Sequence, residues 1–157
     1  MRGEGDRDAG RTDAPLILID ANLLIYAHNQ GSTQHPAARA WLEKVFSGSE
    51  PIGIPWQTIS AFVRIITHPR LPGRPLPTVA AIRIVESWLE QPNVDALGPG
   101  EQHWPIFRQM LVEGQASGDL TSDAQLAALT MECGGILHTT DRDFARFPGL
   151  RWKNPLQ

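Results

Sequence analysis

Four consecutive aliphatic residues, Leu16, Ile17, Leu18 and Ile19, run directly into Asp20. Side chains alternate between the two faces of a strand, so a strand apolar at every position must be covered on both sides. That is the situation of a parallel sheet enclosed by helices. An aspartate at the inner end of such a strand is costly to desolvate unless a cation or hydrogen bonds attend it. The segment thus limits the architecture and marks where chemistry is to be sought.

The rest of the chain supplies the helices. "ANLLIYAH" follows Asp20 as a short helical stretch, and "HPAARAWLEKVFSG" sets Ala38, Trp41, Leu42, Val45 and Phe46 at helical spacing before Gly48. "PIGIP" reads as a short strand between prolines. A helix is expected from about Trp56 to Thr67, with Ile59, Phe62, Val63 and Ile66 on its apolar side. "LPGRPLP" is a turn-rich connector. The next helix, "TVAAIRIVESWLEQ", directs Val79, Ile82, Val85, Trp88 and Leu89 to one face. A brief strand "NVDALG" precedes a helix that has Pro99 near its start. Another helix has its N-terminus marked by Thr121, Ser122 and Asp123 and its end by Gly134 and Gly135. "ILHTT" and "LRWKNP" close the series as strands. Strands alternating with helices, with no internal repeat and no dividing linker, give the α/β class: helices packed around a mostly parallel central sheet.

At 157 residues the chain is read as one domain over 15–157, preceded by a mobile leader over 1–14 that is charged and lacks large aliphatics after Met1. The leader has no apolar stretch of signal-peptide type, and no run approaches the ~18 apolar residues of a membrane span. A soluble, cytoplasmic protein is expected. The single cysteine, Cys133, permits neither an internal disulfide nor a cysteine-based zinc site. A net charge of −3 argues against a surface coated in positive charge, but a nuclease whose carboxylates gather at a metal is compatible with it.

Connectivity brings three carboxylates to one rim. Ligands of open α/β sheets bind beyond the carboxyl ends of the strands. Asp20 ends the first strand, Asp141 follows "ILHTT", and Asp123 lies in the first turn of the helix feeding that strand. Taken singly, each has an ordinary explanation: backbone hydrogen bonding for Asp20, the helix dipole for Asp123, an Asx turn for Asp141 and Asp143. Taken together they describe a site for a hard divalent ion, Mg²⁺ or Mn²⁺, which prefers oxygen ligands. Asn22 and Thr140 flank the aspartates and could hydrogen-bond a carboxylate or a metal-held water. Asp143 is placed beside them, with a capping role before Phe144. The implied chemistry is phosphodiester hydrolysis by a metal-activated water.

The segments "LIDANLLIYA" and "SDAQLAALTMECGGILHTTDRDFARFPGL" resemble the PIN domain, and specifically the VapC ribonuclease toxins of bacterial type II toxin–antitoxin pairs. The resemblance covers about residues 15 to 156. It implies a PIN-like three-layer sandwich and places Asp20, Asp123 and Asp141 on the family's acidic metal site, with Asn22 and Thr140 as the usual neighbours. It further implies an RNA substrate, a homodimer and a cognate VapB-like antitoxin whose C-terminal segment enters the active-site groove. Exposed apolar residues of the "LLIYA" and "WLEKVF" helices are the expected antitoxin surface. One position departs from the pattern: Ala61 stands where the family commonly carries a glutamate.

An RNA backbone requires cations nearby. Arg64, His68, Arg70 and Arg74 follow one another toward "HPRLPGRP", and Arg142 and Arg146 adjoin Asp141. His35 and His103 are assigned to local capping or packing, and Trp41 and Trp88 to the core. The competing readings are a degenerate PIN domain that binds RNA or a protein without cleaving, motivated by Ala61, and an aspartyl phosphatase. The phosphatase reading is disfavoured because Asn22 stands where its second aspartate belongs and the only lysines are Lys44 and Lys153.

Overall fold

The computed structural model describes residues 14–157; the leader expected over 1–14 lies, apart from its last residue, outside them. The elements run β1 (Ile17–Ile19), α1 (Ala21–His28), α2 (His35–Phe46), β2 (Ile52–Pro55), α3 (Trp56–Ile66), α4 (Thr78–Leu89), β3 (Val94–Leu97), α5 (His103–Glu113), α6 (Leu120–Glu132), β4 (Ile136–His138), a 3₁₀ turn (Arg142–Arg146) and β5 (Trp152–Lys153). The five strands form one sheet in the order β3-β2-β1-β4-β5, and every pairing is parallel. Beginning at β1, the chain builds outward through β2 and β3, then crosses back to β4 and β5. The order reverses at β1, so the rim beside Asp20 is where a crevice is expected to open.

Strand periodicity explains the three layers. Ile17 and Ile19 enter one core with residues of α1, α2, α3 and α4. Leu18, pointing the other way, enters a second core with Met110, Leu126, Leu129, Phe144 and Phe147. The sheet is therefore covered on both faces, as the aliphatic run before Asp20 requires.

Two expected details change. On α4 the buried face is Ala81, Val85 and Trp88, spaced by four and three residues, whereas Val79 and Ile82 remain 58% and 45% exposed. Their rotation about the helix carries them off the stripe that faces the sheet. On α6 the helix starts at Leu120, and Asp119 flanks it without making a side-chain cap. Thr121 and Ser122 are thus exposed first-turn residues rather than caps, while Asp123 keeps its place in that turn. The helix ends as expected at its glycine pair. Gly134 adopts φ +66°, the left-handed conformation suited to glycine, and a Cβ at Gly135 would lie 2.8 Å from the Leu16 carbonyl oxygen. That close approach lets β4 lie directly against β1.

Candidate active site

Asp20 leaves β1 as the N-cap of α1. Its Oδ1 accepts the Ala21 N–H at 2.8 Å, and its Oδ2 accepts the Thr139 hydroxyl at 2.8 Å. The same hydroxyl oxygen accepts from Asn22 Nδ2 at 3.3 Å and from the Asp141 N–H at 3.0 Å. One hydroxyl, donating once and accepting twice, joins Asp20, Asn22 and Asp141. Asp141 in turn caps the 3₁₀ turn, its Oδ1 accepting the Asp143 N–H at 2.8 Å.

These bonds revise two expectations. The threonine that reaches Asp20 is Thr139, not Thr140: Thr139 is fully buried just past β4, and Thr140 is partly exposed. The cap before Phe144 is the Asp141 carboxylate, and Asp143 is an exposed residue contributing its backbone N–H.

Asp123 comes from α6 to the same opening. A cleft of about 490 Å³ is lined by Asp20, Asn22, Ala61, Asp123, Gln125 and Asp141, with Arg64 also on its wall. Gln57 Nε2 donates to the Ser122 carbonyl at 3.2 Å, tying the start of α3 to the start of α6 across it. Ala61 occupies this wall with a methyl group and supplies no acid there.

The cations predicted for RNA are dispersed. Arg64 lines the cleft; Arg70 and Arg74 lie exposed on the connector and are not part of its lining. His68 is engaged locally, its Nδ1 accepting the Arg70 N–H at 3.0 Å. Arg142 is exposed beside Asp141. Arg146 donates to the Gly114 carbonyl at 3.1 Å, and its charge offsets part of the repulsion felt by Asp123.

The carboxylates oppose one another. Burial pushes the Asp123 carboxyl up from an ordinary 3.8 to about 6, aided by the negative charges of Asp141, Asp20 and Asp143. Burial likewise raises the Asp20 carboxyl, against the Thr139 and Ala21 hydrogen bonds, and Asp141 adds to the rise. Among the described residues, no three His, Cys, Asp or Glu side chains form a ready-made ligand cluster. The aspartates face one cleft without closing on a single point. Beside them, Asn22 Oδ1 is buried with no hydrogen-bond partner. An all-oxygen donor set, crowded negative charge and an unsatisfied amide oxygen together fit a hard divalent cation.

The other sequence candidates are structural. His35 Nδ1 lies 2.9 Å from the Tyr26 carbonyl, and the His103 ring stacks on Phe107 with centroids 5.7 Å apart. Trp88 is buried against Phe62; Trp41 is half-buried and stacks on His138 at 5.6 Å. Sequence reasoning did not single out Thr139, Gln57 or Gln125. For Thr139 the signal was its position as the first residue after the strand; the glutamines carried none.

Comparison with known proteins agrees with this geometry. The PIN domain family model matches residues 17–150. Ribonuclease VapC33 of Mycobacterium tuberculosis is 42% identical over 142 residues, covering 90% of this chain and 99% of that protein. Ribonuclease VapC37 of the same organism is 39% identical, covering 89% of this chain and 97% of that one. Among solved structures, VapBC2 of Rickettsia felis bound to a promoter DNA fragment superposes with a TM-score of 0.67 at 14% identity, covering 88% of this chain and 98% of that one. VapC20 of M. tuberculosis, a sarcin–ricin loop cleaving toxin, gives 0.62 at 19% identity, covering 86% and 98%. At those identities the structural likeness speaks for the fold alone.

Proposed function

Because the chain belongs to the PIN-domain family, we propose that it is a divalent-metal-dependent endoribonuclease, the toxin of a VapBC-type toxin–antitoxin pair. The observation that carries the chemistry is the convergence of Asp20, Asp123 and Asp141 on one cleft, with burial and mutual repulsion raising two of their carboxyls.

Asp20, Asp123 and Asp141 would hold the cation, Mg²⁺ or Mn²⁺, with the unpartnered Asn22 Oδ1 as a further oxygen donor. When bound, such an ion supplies Lewis acidity toward a phosphoryl oxygen and a lowered pKa for an attacking water. The protein does the rest. Thr139 fixes the Asp20 carboxylate and the Asp141 backbone relative to each other, so two of the ligands are oriented before RNA arrives. Arg64 places a positive charge on the wall to receive a backbone phosphate.

The partner is a VapB-like antitoxin. The apolar residues of "LLIYA" and "WLEKVF" are buried or half-buried rather than exposed. The seat for the docking segment is instead a second pocket of about 330 Å³ between α1, α2 and α4, lined by Ala27, Leu42, Phe46 and Trp88 together with the polar Arg39, Glu43 and Gln91. Homodimerisation uses the exposed apolar side chains of α5, Trp104 and Val112, which are 60% and 70% exposed. The protein acts in the cytoplasm; among the described residues no helix is long and apolar enough to cross a membrane.

The test is cleavage of a mixed cellular RNA pool by protein freed of antitoxin, with Mg²⁺ or Mn²⁺ against EDTA. Cutting at discrete positions only with metal is expected. Intact RNA in both conditions would leave Ala61 as the decisive feature and favour a binding module that does not cleave.

A further inference from the structure

Behind the acidic cleft lies a pair of side chains that the proposed reaction does not use. His103 and Glu132 are 12% and 13% exposed, with Nδ1 of the histidine 3.8 Å from Oε1 of the glutamate. Glu132 is itself fixed, because Oε1 accepts the Gly100 N–H at 2.8 Å. A Cβ at Gly100 would stand 2.9 Å from Glu132 Oε2, so the carboxylate lies close against this turn. On its other side, His103 Nε2 lies 3.4 Å from Nε2 of Gln125, and Gln125 lines the cleft with the aspartates.

We infer that Gln125 is a ribose-sensing residue: held by His103 and Glu132, it turns its amide oxygen to the cleft to accept a hydrogen bond from a substrate 2′-hydroxyl. This rests on the ribonuclease reading and specifies how that site tells RNA from DNA.

The chain of cause starts at Glu132. The Glu132 carboxylate, 3.8 Å from Nδ1 and too far for a hydrogen bond, favours by its charge the tautomer with the proton on that nitrogen, which is buried and has no hydrogen-bond partner among the described residues. Nε2 is then a lone-pair acceptor, and only the –NH₂ end of Gln125 can satisfy it. The amide is thereby oriented: nitrogen to the histidine, oxygen away from it. Among the described residues, the protein gives that oxygen no hydrogen bond. An acceptor on a wall already crowded with carboxylate acceptors needs a donor from the ligand. Phosphates offer none at neutral pH, and the 2′-hydroxyl is the donor of the RNA backbone that DNA lacks. His103 and Glu132 act through Gln125 and are positioning residues.

The test uses full-length protein and one RNA oligonucleotide spanning a mapped cleavage position, alongside copies carrying a single 2′-deoxy replacement at each nucleotide in turn. For the unaltered protein one replacement is expected to lower kcat/KM about tenfold, the scale of one lost hydrogen bond. Gln125→Leu should cut the all-RNA strand about tenfold more slowly and be indifferent to that replacement. His103→Phe, which keeps the stack on Phe107, should show the same indifference. A merely structural role would slow all substrates equally and leave the penalty in place, which overturns the inference. So does an unaltered protein that cuts RNA with no deoxy-sensitive position. Failure to cut the all-RNA strand at all instead removes the ribonuclease reading, and this inference falls with it.

Discussion

Replacing Asp123 with asparagine removes one carboxylate from three while nearly preserving shape, so its effect on stability reads the cost of burying that charge and of crowding it against its neighbours. A rise from 3.8 to about 6 corresponds to roughly 3 kcal/mol of extra preference for the protonated form, at about 1.36 kcal/mol for each tenfold in proton affinity. The side chain is partly open to solvent, and screening reduces this to about 1–2 kcal/mol. The sign follows from linkage. Between pH 4 and 6 the folded protein binds this proton more tightly than the unfolded chain does, so stability falls as pH rises through that window. Below it the cost is absent, and above it the cost is complete. In EDTA at pH 7, Asp123→Asn should therefore be more stable than the parent by about 1–2 kcal/mol, or roughly 2–8 °C in Tm. Its stability should also be flatter from pH 4 to 6. Mg²⁺ or Mn²⁺ should stabilise the parent and not the variant. Urea unfolding across this pH range decides the matter. A variant equal to or less stable than the parent at pH 7, with the slope unchanged, would refute the argument from burial and repulsion.

Three further outcomes are expected. Thr139→Val removes the hydroxyl shared by Asp20, Asn22 and Asp141; RNA cleavage should collapse while chemical unfolding reports a loss of about 1–3 kcal/mol from the groups left unpaired. Arg64→Ala should weaken RNA binding across sequences and lower the slope of log affinity against log salt by about 1, measured with Asp20→Asn protein to prevent turnover. Trp88→Ala empties a core position that is 2% exposed and packs on Phe62 at 4.6 Å, and calorimetry should show a loss of about 3–5 kcal/mol.

Much of this was written plainly in the sequence, and the reason is physical. The run from Leu16 to Ile19 can exist only between two apolar layers, and the structure divides it accordingly, Ile17 and Ile19 to one core and Leu18 to the other. Because the strands are parallel, their carboxyl ends share a rim, and Asp20 and Asp141 were legible from connectivity alone. Asp123 followed from the direction of α6. What escaped were features set by rotation and reach. Val79 and Ile82 fit an apolar periodicity, yet packing selects Ala81 as the inward residue of that turn. Thr139 and Thr140 are chemically identical neighbours, and only the end of β4 decides which hydroxyl reaches Asp20. The cations Arg64, Arg70 and Arg74 sit close in sequence, but the connector carries the latter two away from the cleft while the helix keeps the first on its wall. Gln125 and His103, 22 residues apart, meet only because α5 packs along α6.

The central claim is that Asp20, Asp123 and Asp141 are gathered for one divalent cation site. Titration of the purified protein with Mn²⁺, followed by the loss of the free-ion electron paramagnetic resonance signal, tests it most directly. Saturable binding below millimolar Mn²⁺, reversed by excess Mg²⁺ and lost in Asp20→Asn, is the predicted result. No binding at millimolar Mn²⁺, or equal binding by the parent and the variant, would contradict it.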